Sequence, residues 1–191
     1  MYSEKNSSDF RGFAYFKLDK NELTVKKSKT TPFSEQFMID KYGEKKGKKK
    51  SDKQKELSDI VYRDFFITDN DEIYFNAEEF YITFTTSHGP NGQMTQRTVY
   101  HYNDIYSCKF NFEGDMLWMR TINKGQATSG LSDYLSFTSG VKNGKMYIFL
   151  NGDDDVKKLK DNRISFKQTK IKKMNLYVIE IEPNGEFNYK I

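Results

Sequence analysis

The chain has 191 residues and a formal net charge of +4, with 30% charged and 16% aromatic residues. Thirteen Tyr, sixteen Phe and one Trp exclude a disordered chain, which is poor in aromatics. Three Pro and twelve Gly exclude collagen-like and Pro-rich chains, and no apolar run reaches the roughly 18 residues of a membrane-spanning helix.

The chain opens on Met1-Tyr2-Ser3-Glu4-Lys5-Asn6, which is polar and lacks the apolar region of a signal peptide. Residues 12–27 read as a strand pair, with Tyr15-Phe16-Lys17-Leu18 running into the turn Asp19-Lys20-Asn21-Glu22. Alternation stops at Thr31–Asp40. There Thr31 can cap a helix, Pro32 suits its first position, and Phe33, Phe37 and Met38 share one face. This predicts a short helix, with weaker helical character again over 53–62. From Lys41 to Leu57 stand eight Lys and three acids, net +5. The centre of the run, Glu44 to Lys53, has no large apolar residue. Residues 43–55 are therefore expected to form a flexible basic loop that folding does not need.

Strand signals resume at Asp64–Thr68, pass the polar turn Asp69-Asn70-Asp71 and continue over Glu72–Ala77. Phe80–Thr86 and Gln93–Tyr102 flank His88-Gly89-Pro90-Asn91-Gly92, which predicts a long hairpin projecting beyond its sheet. About this turn His88 faces a residue near Thr95, not His101, so a two-His metal site is not expected. Asp104–Phe110 turns at Glu113-Gly114 into Asp115–Thr121. Cys108, the only cysteine, lies in a strand and reads as a small packed residue. Trp118 and Tyr74, Tyr81, Tyr100, Tyr102 and Tyr106 read as core and sheet-face packing. Lys124-Gly125-Gln126 reads as a connector between units, the alternative being a polar contact loop. Asn151-Gly152-Asp153-Asp154-Asp155 is the most site-like stretch, but it lacks the spacing of a calcium-binding EF-hand loop. It reads as a solvated turn. A second basic run, Lys157–Lys173, carries net +7, which leaves −8 for the rest of the chain.

An internal repeat organises these segments. Asp69–Asn76 aligns with Lys142–Phe149, and Tyr106–Met116 with Tyr177–Phe187, both about 72 residues apart, with Gly114 on Gly185. A shorter copy, Ala14–Leu23, places Asn21 on the glycine, and Asn also tolerates a left-handed turn. Each unit contains two hairpin-like pairs. The expected fold is mainly β: four-stranded antiparallel blade-like repeats (a partial or open β-propeller) with one short helix and a Lys-rich loop. Residues 1–191 form a single domain with a strand pair, one unit over about 60–122 and another over about 134–191. A closed propeller needs at least about four blades. The chain is therefore expected to be a fragment of a larger propeller, self-associating through open sheet edges.

Tyr102-Asn103-Asp104-Ile105, Phe110, Gly114, Leu117-Trp118, Ile122-Asn123-Lys124-Gly125-Gln126, Tyr134-Leu135-Ser136-Phe137 and Gly144–Asn151 together resemble uncharacterised β-propeller-like repeat proteins of the Bacteroidota cell envelope. The similarity covers most of the chain from about Gly12 onward. It implies a β-repeat fold and an exported parent, and it carries no catalytic residues. The compartment is periplasmic or cell-surface if the chain belongs to such a parent, and cytoplasmic otherwise.

No P-loop, Gly-rich dinucleotide fingerprint or nucleophile elbow occurs. No catalytic, cofactor-binding or metal-binding residue is assigned, and no cofactor is expected. The reading is a non-enzymatic scaffold or recognition module binding a protein or glycan. One alternative is a glycan-active enzyme, for which Glu78, Glu79 and Asp153–Asp155 are the suggestive acids. The other is a nucleic-acid-binding protein using the Lys45–Lys50 run, a partner that the lack of interleaved aromatics disfavours.

Overall fold

The computed structural model describes residues 1–4, 8–130, 134–161, 163–168 and 174–191. β1 (Gly12–Leu18) and β2 (Val25–Pro32) pair as an antiparallel hairpin. Helices α1 (Glu35–Tyr42) and α2 (Glu44–Asp52) follow. β3 (Ile60–Ile67), β4 (Glu72–His88), β5 (Met94–Asn111) and β6 (Met116–Ile122) then form a meander in which each strand pairs with the next. β7 (Lys124–Thr128) returns to pair with the middle of β5. β8 (Thr138–Lys142) and β9 (Lys145–Gly152) begin a second sheet. β10 (Lys157–Lys158) and β11 (Ile164–Gln168) leave it to join the first, β11 running parallel to β7. β12 (Asn175–Ile181) and β13 (Phe187–Lys190) complete the second meander, of strand order β8-β9-β12-β13. The fold is mainly β, and its sheets are open rather than closed.

Alternation along the central strands assigns their two faces. On β5, Tyr106, Cys108 and Phe110 point to one core, with Phe13, Phe33, Phe37, Met38, Ile73 and Ala77. Ile105 points to the other, joining Tyr74, Trp118 and Ile122 against Met146, Ile148, Leu150, Tyr177, Ile179 and Ile181. The first meander is thus the middle of three layers. The hairpin and α1 lie on one face, and the second meander on the other.

Several of the hairpin turns share one pattern. In Thr68–Glu72, Asn111–Asp115 and Glu182–Glu186 the first N–H donates to the fifth carbonyl and the fourth N–H to the first carbonyl. The fourth residue is left-handed: Asp71 (φ 57), Gly114 (φ 78) and Gly185 (φ 88). A Cβ on Gly114 would lie 2.4 Å from the ring of Tyr15, and one on Gly185 2.8 Å from Trp118. Each glycine turn therefore receives an aromatic of the preceding layer. The β1–β2 turn is one residue longer, and its left-handed residue is Leu23 (φ 54), not Asn21 as the alignment places it. The inserted residue shifts the closing bonds to Asp19 and Thr24.

The helical region differs from expectation in two ways. α1 starts three residues later than predicted, because Ser34, not Thr31, accepts the cap bond from the Phe37 N–H at 3.2 Å, while Thr31 and Pro32 finish β2. Residues 53–59 are not helical, and from Ile60 the chain is strand. The basic run, expected as a loop over 43–55, is mostly the second helix. Lys and Glu form helices well, Glu44 occupies the first turn, and Lys49 and Lys50 the last. Its buried residue is Gly47, so it docks by backbone contact rather than by an apolar stripe. A Cβ there would sit 2.5 Å from Ile39 Cα and 2.7 Å from the Met38 carbonyl carbon. The Gly47→Ala variant is expected to lose about 1–3 kcal/mol, the usual cost of overpacking against atoms that cannot move aside. Lys49→Ala, on the same helix, should stay within about 0.5 kcal/mol. Urea unfolding of the two variants checks this, and equal stabilities would mean that α2 does not dock.

Candidate functional site

β4 and β5 are far longer than their neighbours. β3 accompanies β4 only as far as Glu79, and β7 accompanies β5 only over Tyr100–Tyr102. Among the described residues, Thr83–His88 and Met94–Val99 pair as strands only with each other. They form an arm that leaves the sheet, as the long hairpin signal predicts. Ile82, Phe84 and Met94 lie on one face of it, Met94 opposite His88, with Phe84 64% and Met94 71% exposed. The other face carries Tyr81 stacked on His101 at 4.5 Å and Thr83 hydrogen-bonded to the His101 Nε2 at 2.8 Å. The histidines do not meet, since His101 pairs with Tyr81 and His88 with Met94.

The base of the arm is clamped by charge. Register shifts in β3 between Tyr62 and Asp64, and in β4 between Glu78 and Phe80, bend the sheet where the arm begins. Glu78 is fully buried. Its Oε1 accepts from Lys124 Nζ at 2.6 Å, and its Oε2 from Arg63 Nη2 at 2.6 Å and Ser136 Oγ at 2.8 Å. Lys124 also donates to the Tyr102 carbonyl at 2.8 Å and to Gln126 Oε1 at 3.0 Å. Beside this cluster Lys41, from α1, donates to Asp104 Oδ2 and Tyr106 Oη at 2.8 Å each, and to Glu79 Oε2 at 3.1 Å. Three cations thus face three carboxylates across four strands and a helix, which satisfies charges too costly to bury singly.

The environments of the two lysines differ. Burial pushes the Lys124 ammonium down to about 8, against the opposing pull of Glu78. Burial also works against Lys41, yet Asp104, Tyr106 and Glu79 outweigh it and hold Lys41 above the usual lysine range. Burial pushes the Cys108 thiol well up, which makes it a poor nucleophile. Lys124-Gly125-Gln126, expected as a connector, is a strand whose Lys124 and Gln126 are buried parts of the clamp.

Of the acids suggestive of glycan chemistry, Glu78, Glu79 and Asp154 have side-chain partners of their own. Glu78 is enclosed between cations, and Glu79 is bonded to Lys41. At the Asp153 loop the carbonyls of Asp153 and Asp154 accept from the Tyr177 hydroxyl, and Asp154 Oδ1 accepts from Asn175. Among the described residues no group of three or more side chains is placed to ligate a metal ion. No described helix is long and apolar enough to cross a membrane.

A cleft of about 500 Å³ lies away from the arm, lined by Asp40, Arg120, Asn123, Arg163, Phe187 and Tyr189 among others. Its guanidiniums are held from within. Arg120 donates to both Asp40 oxygens and to the Gly185 carbonyl. Arg163 donates to the Asp40 and Lys41 carbonyls at the end of α1 and to Asn123 Oδ1. The cleft is therefore a structural joint between α1, the first sheet and β13.

The two basic runs meet here as well. The Glu44 N–H donates to Asp161 Oδ2 at 3.3 Å, which sets the start of α2 beside the loop after β10. Lys157 lies against Lys167 and lowers its pKa, a like-charge contact. Lys170, Lys172 and Lys173 of the second run lie outside the described residues. No family model, curated protein or solved structure matches the chain.

Two predictions follow from the clamp. Glu78→Gln leaves the buried Lys124 ammonium without its closest carboxylate and should cost about 3–5 kcal/mol in denaturant unfolding. The depressed Lys124 also sets a pH dependence. Between pH 8 and about 10.5 the native state holds fewer protons than the unfolded chain, so this group's contribution to stability rises with pH across that window. Lys124→Met should remove that rise, and an unchanged pH–stability slope in the variant would refute the assignment.

Proposed function

We propose that this chain is a non-enzymatic recognition module of stacked, blade-like β layers, and that it binds another protein through the β4–β5 arm. The two four-stranded antiparallel meanders, stacked face to face, support the blade-like reading. The arm carries the functional reading. Residues 80–102 contain one arginine and no acidic residue, in a chain that is 30% charged. Natural sheets guard exposed edges with charge, Pro or bulges, and a two-stranded hairpin alone is marginal in water. An acid-free, apolar-faced hairpin held out from a clamped base suits a partner that covers it.

A photo-crosslinking amino acid at position 84 or 94, in cells that make the protein, should give a discrete protein adduct. The same group at position 85 or 97, on the opposite face, should give far less. Phe84→Lys should leave the melting temperature within a few degrees and abolish the adduct from position 94. Equal yields from both faces, or none from either, would sink the reading.

A second reading rests on the meeting of the two basic runs at Glu44 and Asp161. They form one lysine-rich region, which favours a polyanion such as RNA. Retention of single-stranded RNA that falls steeply with salt, and is lost on replacing Lys45, Lys46, Lys49 and Lys50 by Glu, would support it.

A further inference from the structure

The two faces of the middle layer are covered unequally. The four strands of the second meander cover one face. Of the described elements the other carries β1, β2 and α1, set over the β5–β6 side: Tyr15 Oη donates to the Phe112 carbonyl, and Lys17 and Lys27 bond Glu113. Among the described residues no strand or helix lies over β3 on this face, and Met1 reaches only the trough beside Phe65. Tyr62, Phe65 and Ile67 pair with Ala77, Phe75 and Ile73 and share their side of the sheet. They remain 55%, 48% and 59% exposed. Between them and β1 runs a trough of about 320 Å³, lined by Met1, Phe13, Tyr15, Phe16, Phe65 and Phe75 among others. It continues the first core, in which Phe13 meets Phe75 at 5.2 Å and Phe110 at 5.5 Å.

The strand bordering this trough has an open edge. β1 pairs with β2 on one side, and on the other, among the described residues, makes only the antiparallel bridge of Gly12 to Tyr2. Phe13–Leu18, about 20 Å of strand, is unpaired there. In the other two layers the glycine-turn hairpins, β5–β6 and β12–β13, are preceded by two further strands. In the β1–β2 layer those two places are vacant.

The arm is a two-stranded hairpin of matching size. Its β4 edge from Ile82 to His88 is unpaired and about 23 Å long. Its apolar face, Ile82, Phe84 and Met94, suits the uncovered Tyr62, Phe65 and Ile67, and it brings no acid into that apolar surface. We infer that the arm of one copy of this chain docks on the open β1 edge of a second copy. There β4 pairs with β1, and the arm covers the exposed face of β3, completing a four-stranded layer by β-strand addition. This rests on the arm's being a recognition element and names its partner. Two such contacts about a two-fold axis close into a dimer, whereas one contact repeated in the same sense builds a chain of molecules.

Analytical ultracentrifugation of the full chain at tens of micromolar tests the inference. The wild type should sediment as a dimer or larger. Phe84→Lys, on the arm, and Phe65→Lys, on the uncovered face, should each sediment as monomers. Both positions are exposed, so unchanged circular dichroism and melting should show that the variants fold. An equimolar mixture of the two variants should form a one-to-one dimer, because the intact arm of one meets the intact edge of the other. A wild-type monomer, or variants that associate as the wild type does, would overturn the inference. So would a mixture that stays monomeric. If the wild type is monomeric but position 84 still crosslinks to a different protein, the self-pairing fails and the recognition reading survives. If position 84 crosslinks to nothing, the recognition reading fails too.

Discussion

The architecture depends on a sheet that must bury both its faces. Along β4, β5 and β6 buried side chains alternate to both sides, with Asn76, Ser107 and Lys109 buried among the apolar ones on the second face, so a single covering layer would leave half of them in water. Ile73, Ala77, Tyr106, Cys108 and Phe110 require one cover, and Tyr74, Ile105, Trp118 and Ile122 require another. At roughly 25 cal/mol per Å² of apolar surface, each cover is a major share of the folding free energy. Three layers are the smallest stack that satisfies such a sheet. The helices, the long β5 shared among β4, β6 and β7, and the glycine turns against Tyr15 and Trp118 all serve that stacking.

The same demand explains where the charges lie. Where the sheet bends at its two register shifts, the layers separate and polar groups take the place of apolar contacts. Glu78, Lys124, Arg63, Lys41, Glu79 and Asp104 are acceptable there because each finds an opposite charge within hydrogen-bond distance. Beyond the bend the layers no longer cover β4 and β5, and the arm emerges. Clamp and arm are consequences of one event, the loss of neighbouring strands past Glu79 and Tyr100.

The coverage is also asymmetric. The second meander gives one face of the middle layer a full complement of four strands, while the hairpin and α1 shield only part of the other. An open strand edge beside exposed Tyr62, Phe65 and Ile67 is a surface that folding alone has not satisfied. The chain carries an exposed edge and an exposed hairpin at once, and both are made of the same β physics.

Much of the backbone was legible in the amino-acid sequence. The strand alternation, the polar turns at Asp69-Asn70-Asp71 and Glu113-Gly114, the left-handed turn glycines Gly114 and Gly185, and the long hairpin between Phe80 and Tyr102 are local signals, and local geometry follows them. Three features were not legible, each for a physical reason. α2 has no apolar stripe, because Gly47 packs by its backbone, so its lysines read as a solvated loop. The turn after β1 gained one residue, which moved the left-handed position from Asn21 to Leu23 without changing the composition. Lys124 and Glu78 lie far apart in sequence, and nothing near either one marks it as buried. Their pairing exists only because β7 returns to β5 beside the bend in β4. Sequence by itself determined the strands and their turns, since these depend on neighbours within a few residues. Tertiary structure alone decided which faces were covered, which charges met and which edge stayed open, since these depend on how whole layers stack.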